Sequence, residues 1–141
     1  MQIIGRMVLI SLPDQGLEDI KAKADTGAYH SAIHCHDVRV VKSVDGKDVL
    51  SVRFLDPAHS SYNNKELTFK KFSTASVTSS FGQKQERYIV RLKVVIDGRT
   101  YEEEFTLADR SSMRFPILLG RTLLKNRFMV DVSKYRIKAA E

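Results

Sequence analysis

Asp25, Thr26 and Gly27 stand together at the end of an alternating run, in "KAKADTGAYHSAIHC" (21–35). A carboxylate placed this way can move protons. Paired with a second carboxylate it can activate water against a carbonyl: one group takes a proton from the water while the other gives one to the carbonyl oxygen. Two carboxylates about 3 Å apart cannot both ionise, so one keeps its proton near neutral pH. Roles then follow from residue type. Asp25 is the acid/base candidate. The Thr26 hydroxyl can tie two such loops together by hydrogen bonding. Gly27 lets backbone come close, and its amide can donate to the carboxylate. The triplet also arises by chance in roughly a few per cent of chains this long. The plain alternative is a turn in which Asp25 accepts backbone hydrogen bonds and Gly27 supplies an unusual backbone angle.

The chain holds no second Asp-Thr-Gly or Asp-Ser-Gly. Asp109-Arg110-Ser111 and Asp131-Val132-Ser133 do not supply it. A dyad would therefore need Asp25 of a second copy, with a two-fold axis between the two loops. The same stretch carries His30, His34, Cys35 and His36, all able to bind a metal. The spacing argues against a zinc site. His30-Ser31-Ala32-Ile33-His34 lacks the glutamate of a His-Glu-x-x-His helix, and there is no separated cysteine pair. Cys35 then reads as a small core residue and the histidines as ordinary packed or polar side chains. No metal and no cofactor is expected.

The elements that must position Asp25 read mostly as strands. The chain has 141 residues and 43% hydrophobic content, which suits a single domain over 1–141. "RMVLISL" (6–12) is β-prone, "PDQG" (13–16) is a turn, and 18–27 alternates with Ile20, Ala22 and Ala24 on one face. "SAIHCHDVRVV" continues in short strand-like pieces, 48–56 is a strand, and 57–66 is a loop. Residues 67–109 read as consecutive antiparallel strands. Ser79, Ser80 and Gly82 mark one tight turn and Asp97-Gly98 a second. Tyr88, Val90, Leu92, Val94 and Ile96 line one face between those turns, and Phe105 and Leu107 share a face on the next strand. "FPILLG" (115–120) is a short strand buried on both faces, 121–128 a short helix, and 128–137 a closing strand. This is an all-β chain with one short C-terminal helix, a small barrel or sandwich.

Net charge is +6, but the basic residues are spread along the chain and Glu102 to Glu104 form an acidic block. That is a solvated surface, so no nucleic-acid partner is expected. The N-terminal apolar stretch is too short to span a membrane and lacks the marks of a signal peptide. A single cysteine fits a reducing compartment, and the expected location is cytoplasmic, away from the membrane.

"AKADTGA" followed some ninety residues later by "ILLGRTLL" resembles the retroviral-type aspartic proteases, or retropepsins. Over nearly the whole chain, "GRMVLISLPDQGLEDIKAKADTGAYHSAIH", "VTSSFGQKQERYIV" and "FPILLGRTLLKNRFMVDVSKYRI" resemble a bacterial retropepsin-like family labelled putative ATP-dependent zinc proteases. The resemblance implies an acid-protease β-barrel, active as a homodimer with one Asp25 from each copy, hydrolysing peptide bonds without a metal. It implies that 79–82 is the tip of a flap hairpin, and that Ala28, Tyr29, Ser80, Gly82 and Arg87 contact substrate. Some members of that family are associated with trimming glutamate tails from a ribosomal protein. An acidic peptide or protein substrate would suit Lys84, Arg87 and Arg91 near the flap. After Asp-Thr-Gly-Ala the family usually has a basic residue and then a small hydroxyl residue, where this chain has Tyr29 and His30. Arg121 is expected to cap or brace the dimer and helix region. The alternatives are a peptide-binding module of the same fold without turnover, and a zinc-dependent hydrolase.

Overall fold

The computed structural model describes residues 1–79, 81–111 and 113–138. The chain runs through β1 (Gln2–Ile4), β2 (Met7–Leu12), a 3₁₀ turn (Pro13–Gln15), β3 (Leu17–Ala24), β4 (Ser31–Lys42) and β5 (Asp48–Phe54). It continues through β6 (Leu67–Phe69), β7 (Ser73–Thr78), β8 (Lys84–Ile96), β9 (Arg99–Ala108), β10 (Ile117–Leu119), α1 (Arg121–Leu124) and β11 (Phe128–Val130). The fold is all-β with a single four-residue helix among the described residues. The two hairpin turns stand where the sequence puts them, with Gly82 and Gly98 at positive φ.

Six strands close into a ring in the order β10, β3, β2, β8, β9, β4, and β4 pairs back to β10. The inward residues follow the period of two read from the sequence. Val90, Leu92, Val94 and Ile96 of β8 are buried, while Arg91 and Lys93 between them are exposed. Ile20, Ile33, Leu92, Phe105, Ile117 and Leu119 fill the centre, each no more than 1% exposed. Burying such side chains is the main force that holds the fold together, about 25 cal/mol for each Å² of apolar surface removed from water.

β10 decides how the ring closes. It lies between β3, which it pairs in parallel (Ile117↔Ala22), and β4, which it pairs antiparallel (Ile117↔Ile33). All three of its residues are buried. A strand covered on both faces and paired on both edges has no polar position, which is why "ILL" carries no alternation.

β4 departs from the sequence reading. It is one strand of 12 residues, not several short pieces. Its register shifts between His36 and Arg39, and Asp37 has φ 54°. Ser31 to His34 pair with β9 and Cys35 to Lys42 pair with β5, and the bulge lies within the part paired to β5. The end of the chain departs as well. Only Phe128–Val130 of the expected 128–137 strand is a strand, paired in parallel with β1. Asp131 accepts hydrogen bonds from the Ser133 amide (3.0 Å) and hydroxyl (2.6 Å), and this local turn ends the ladder.

Candidate active site

The Asp25 loop is fastened as soon as β3 ends. The Asp25 amide donates to the Leu119 carbonyl of β10 at 2.9 Å. Gly27 donates its amide to Asp25 Oδ1 at 2.9 Å, and Ala28 donates to the Asp25 carbonyl at 3.2 Å. A side chain at 27 would bring its Cβ to 3.2 Å from that carboxylate oxygen. Locally this is a turn in which Asp25 accepts backbone hydrogen bonds, but Gly27 lacks the positive φ that Gly16, Gly46, Gly82 and Gly98 have.

The next layer is the β10–α1 junction. Arg121 donates its amide to the Ala28 carbonyl at 2.8 Å, and Thr122 donates to the Tyr29 carbonyl at 3.1 Å. The Gly120 amide donates to the buried Ser31 hydroxyl at 3.0 Å. The Arg121 guanidinium donates to the Thr26 carbonyl at 3.1 Å and sits 5.9 Å from the centre of the Tyr29 ring. Position 120 must be glycine for a steric reason: a Cβ there would lie 2.4 Å from the His30 carbonyl oxygen. "ILLGR" is therefore the clamp of the Asp25 loop. The expected brace by Arg121 is made to that loop, within its own chain.

Asp25 looks into an open cleft of about 570 Å³. The Asp25 loop and Leu118 line one side, residues 76–79 of the β7 hairpin line the other, and Arg87, Thr106 and Arg110 lie between. Asp25 is the only acidic residue among the described lining residues, against the three arginines 87, 110 and 121. Burial lowers the pKa of Arg110; the nearby Arg87 lowers it further and Asp25 opposes the change. Burial likewise lowers that of Arg87. Both guanidiniums stay charged at neutral pH, since arginine is not deprotonated in proteins.

Of the residues expected at the site, Asp25, Gly27, Ala28, Tyr29 and Arg87 are brought together in the cleft. Thr26 is exposed and is not among the residues lining the cleft. Gly82 forms the hairpin tip with φ 80° and is not among the residues lining the cleft. Ser80 lies outside the described residues. Arg91 pairs with Glu102 at 3.6 Å, and neither it nor Lys84 lines the cleft. The sequence reading missed Arg110. Nothing in "ADRSSM" marks it, since only the parallel pairing of β9 with β4 carries the end of β9 to the cleft.

The histidine cluster disperses. His30 packs its ring edge against Tyr29, with centroids 4.8 Å apart. His34 is buried and accepts a hydrogen bond from the Arg110 amide at 2.7 Å. His36 bonds the Tyr62 hydroxyl at 3.0 Å. Burial pushes the Cys35 thiol up to about 12. Among the described residues no group of three or more His, Cys, Asp or Glu is placed to hold a metal ion. No helix among them is long and apolar enough to cross a membrane.

An all-β ring with an Asp-Thr-Gly loop held by a Gly-Arg turn is a retropepsin-like fold. The chain belongs to the RimB-like family, described as retropepsin-like aspartic endopeptidase RimB, whose model matches residues 3–141. A probable alpha-L-glutamate ligase of Shewanella pealeana is 31% identical over 136 residues, which is 94% of this chain and 29% of that protein. A protein of the same name from Desulfotalea psychrophila is 27% identical over 134 residues, 92% of this chain and 28% of that one. The chain thus spans under a third of the length of these curated relatives. The crystal structure of a Legionella pneumophila protein of unknown function matches with a TM-score of 0.69 at 23% identity, covering 94% of this chain and 95% of that one. That likeness is one of fold.

Proposed function

We propose that the protein is an aspartic endopeptidase that works as a homodimer, with the two Asp25 carboxylates sharing a proton across the two-fold axis. One observation carries the reading. Asp25 is held by backbone and a clamped loop at the edge of an open cleft, and no other described residue lining that cleft is acidic. One chain therefore supplies half of the acid/base pair. In the dimer, one Asp25 takes a proton from water, the water oxygen bonds to the peptide carbonyl carbon, and the other Asp25 protonates the carbonyl oxygen. Collapse of the tetrahedral species, with a proton passed to the leaving amine, breaks the C–N bond. The step needs no covalent intermediate. In this reading the Thr26 hydroxyl, which is exposed in the single chain, ties the two loops together across the axis.

The preferred substrate in this reading is acidic. Three arginines against one aspartate give the cleft a positive field, and planar guanidinium groups suit carboxylates. The name of the longer relatives, probable alpha-L-glutamate ligase, supports a glutamate-rich chain as that substrate. The test compares wild type with Asp25→Asn on glutamate-rich and neutral peptides. The expected result is a loss of cleavage of about 10²–10⁴-fold or more, the scale of a lost general acid/base, with unchanged thermal unfolding and unchanged binding of the acidic peptide. Full cleavage by Asp25→Asn would refute the dyad. Acidic peptides bound but never cut by wild type would make the protein a binding module.

A further inference from the structure

His34 plays no part in the proton transfers above, yet its ring is buried beside the cleft. Its backbone amide donates to the Pro116 carbonyl at 2.8 Å, and its carbonyl accepts from the Leu55 amide at 2.9 Å. Its ring accepts at Nδ1 from the Arg110 amide at 2.7 Å. The side chain is 6% exposed. Arg110 follows closely on the end of β9 at Ala108, at the base of the loop that carries its guanidinium into the cleft. That guanidinium turns back to the Phe115 carbonyl at 3.1 Å. One imidazole nitrogen therefore sets where this loop leaves the ring of strands.

We infer that His34 is a positioning residue for Arg110, and that its neutral ring is a clasp which opens when the ring takes up a proton. An acceptor nitrogen that gains a proton becomes a donor, so it can no longer hold an N–H group. The Arg110 amide is then left facing a second donor. The new charge has two carboxylates to turn toward: Asp56, 3.8 Å from Nε2, and Asp109, 3.8 Å from Nδ1. Asp109 is held as a carboxylate by the Ser111 hydroxyl and amide. The remaining groups facing the ring are His36, whose charge opposes protonation, and the Ala108 carbonyl, which favours it. The Cys35 thiol beside it stays neutral.

The direction in pH follows. Burial is the largest influence and lowers the His34 pKa below its ordinary 6.5, while Asp109 and Asp56 pull the other way. A depressed imidazole favours the neutral form in the folded chain. The clasp is therefore closed above pH 6.5 and opens as pH falls through the depressed value. In the acid range the Arg110 side chain loses its fixed place beside Arg87, and the cleft loses part of its grip on anionic side chains. This inference concerns the placement of Arg110 and stands whether or not the cleft cleaves peptides.

The experiment is an NMR titration of the ¹⁵N-labelled full chain between neutral and mildly acidic pH. It follows the His34 ring protons and the hydrogen exchange of the Arg110 amide, corrected for intrinsic exchange. Wild type should lose protection at Arg110 by about tenfold or more, with the same midpoint as the His34 ring. His34→Asn places an oxygen acceptor near the Nδ1 position that cannot take a proton in this range. In that variant, protection at Arg110 should not vary with pH. A wild-type Arg110 amide that ignores the titration of His34 would overturn the inference, as would the same loss of protection in His34→Asn. If His34→Asn does not fold, the two wild-type midpoints alone decide, and midpoints that differ would refute the coupling.

Discussion

The cleft has two unlike walls. The Asp25 wall is fixed from several sides. Its loop hangs from the Leu119 carbonyl, closes on itself through Gly27, and is clamped by the amides and side chain of the Gly120–Thr122 turn. The facing wall is the β7–β8 hairpin. β7 pairs with β8 alone, its residues are half-buried or exposed, and Phe81 at the tip is 88% exposed. The contrast separates two physical jobs. A proton-transfer group must be held to within a fraction of an ångström, whereas a wall that admits a chain must be able to part from it. Under the proposed function, the hydrogen bonds around Asp25 serve the first job, and the second falls to a hairpin held by its own ladder.

Breaking the fixed wall should cost most. Leu119→Ala removes a fully buried side chain behind Asp25 and leaves a cavity. It should lower unfolding free energy by about 2–5 kcal/mol, read by denaturant titration. Gly120→Ala drives a methyl into the His30 carbonyl. A loss of about 1–3 kcal/mol is expected, together with reduced peptide cleavage, because the strain falls on the loop that carries Asp25. Stability and activity equal to wild type would show that the clamp is not needed. The other wall should respond least. Phe81→Ser touches an exposed tip and should change stability by less than about 0.5 kcal/mol, while raising KM for peptide and leaving kcat nearly unchanged. An effect on stability as large as that of Gly120→Ala would erase the distinction between the walls.

These same walls differ in how far the sequence reveals them. Asp25, Gly27 and the clamp "ILLGR" are legible because each stands out as a residue type: a carboxylate closing an alternating run, a glycine tight against it, and an unbroken apolar triplet before a glycine with no room for Cβ. The β8 face is legible because every second residue from Tyr88 to Ile96 is apolar, and from Val90 on the burial alternates with it. Three features are not. The β4 bulge turns on Asp37 at positive φ, a cost accepted for tertiary pairing that local propensity does not show. The last strand stops early because Asp131 captures Ser133, a local competition hidden within an apolar run. Arg110 reaches the cleft through the pairing of β9 with β4, two strands far apart in sequence. His34 and its neighbours are residue types able to bind a metal, and the fold sends each ring to a different partner.

The most direct test of the central claim is the distance between the two Asp25 carboxylates in the assembled, active protein, measured by crystallography with a peptide-like inhibitor bound. The account predicts a two-fold dimer with carboxylate oxygens at hydrogen-bonding distance, below about 3.2 Å. A peptide-cleaving monomer, or an active dimer whose Asp25 carboxylates stand far apart, would contradict it.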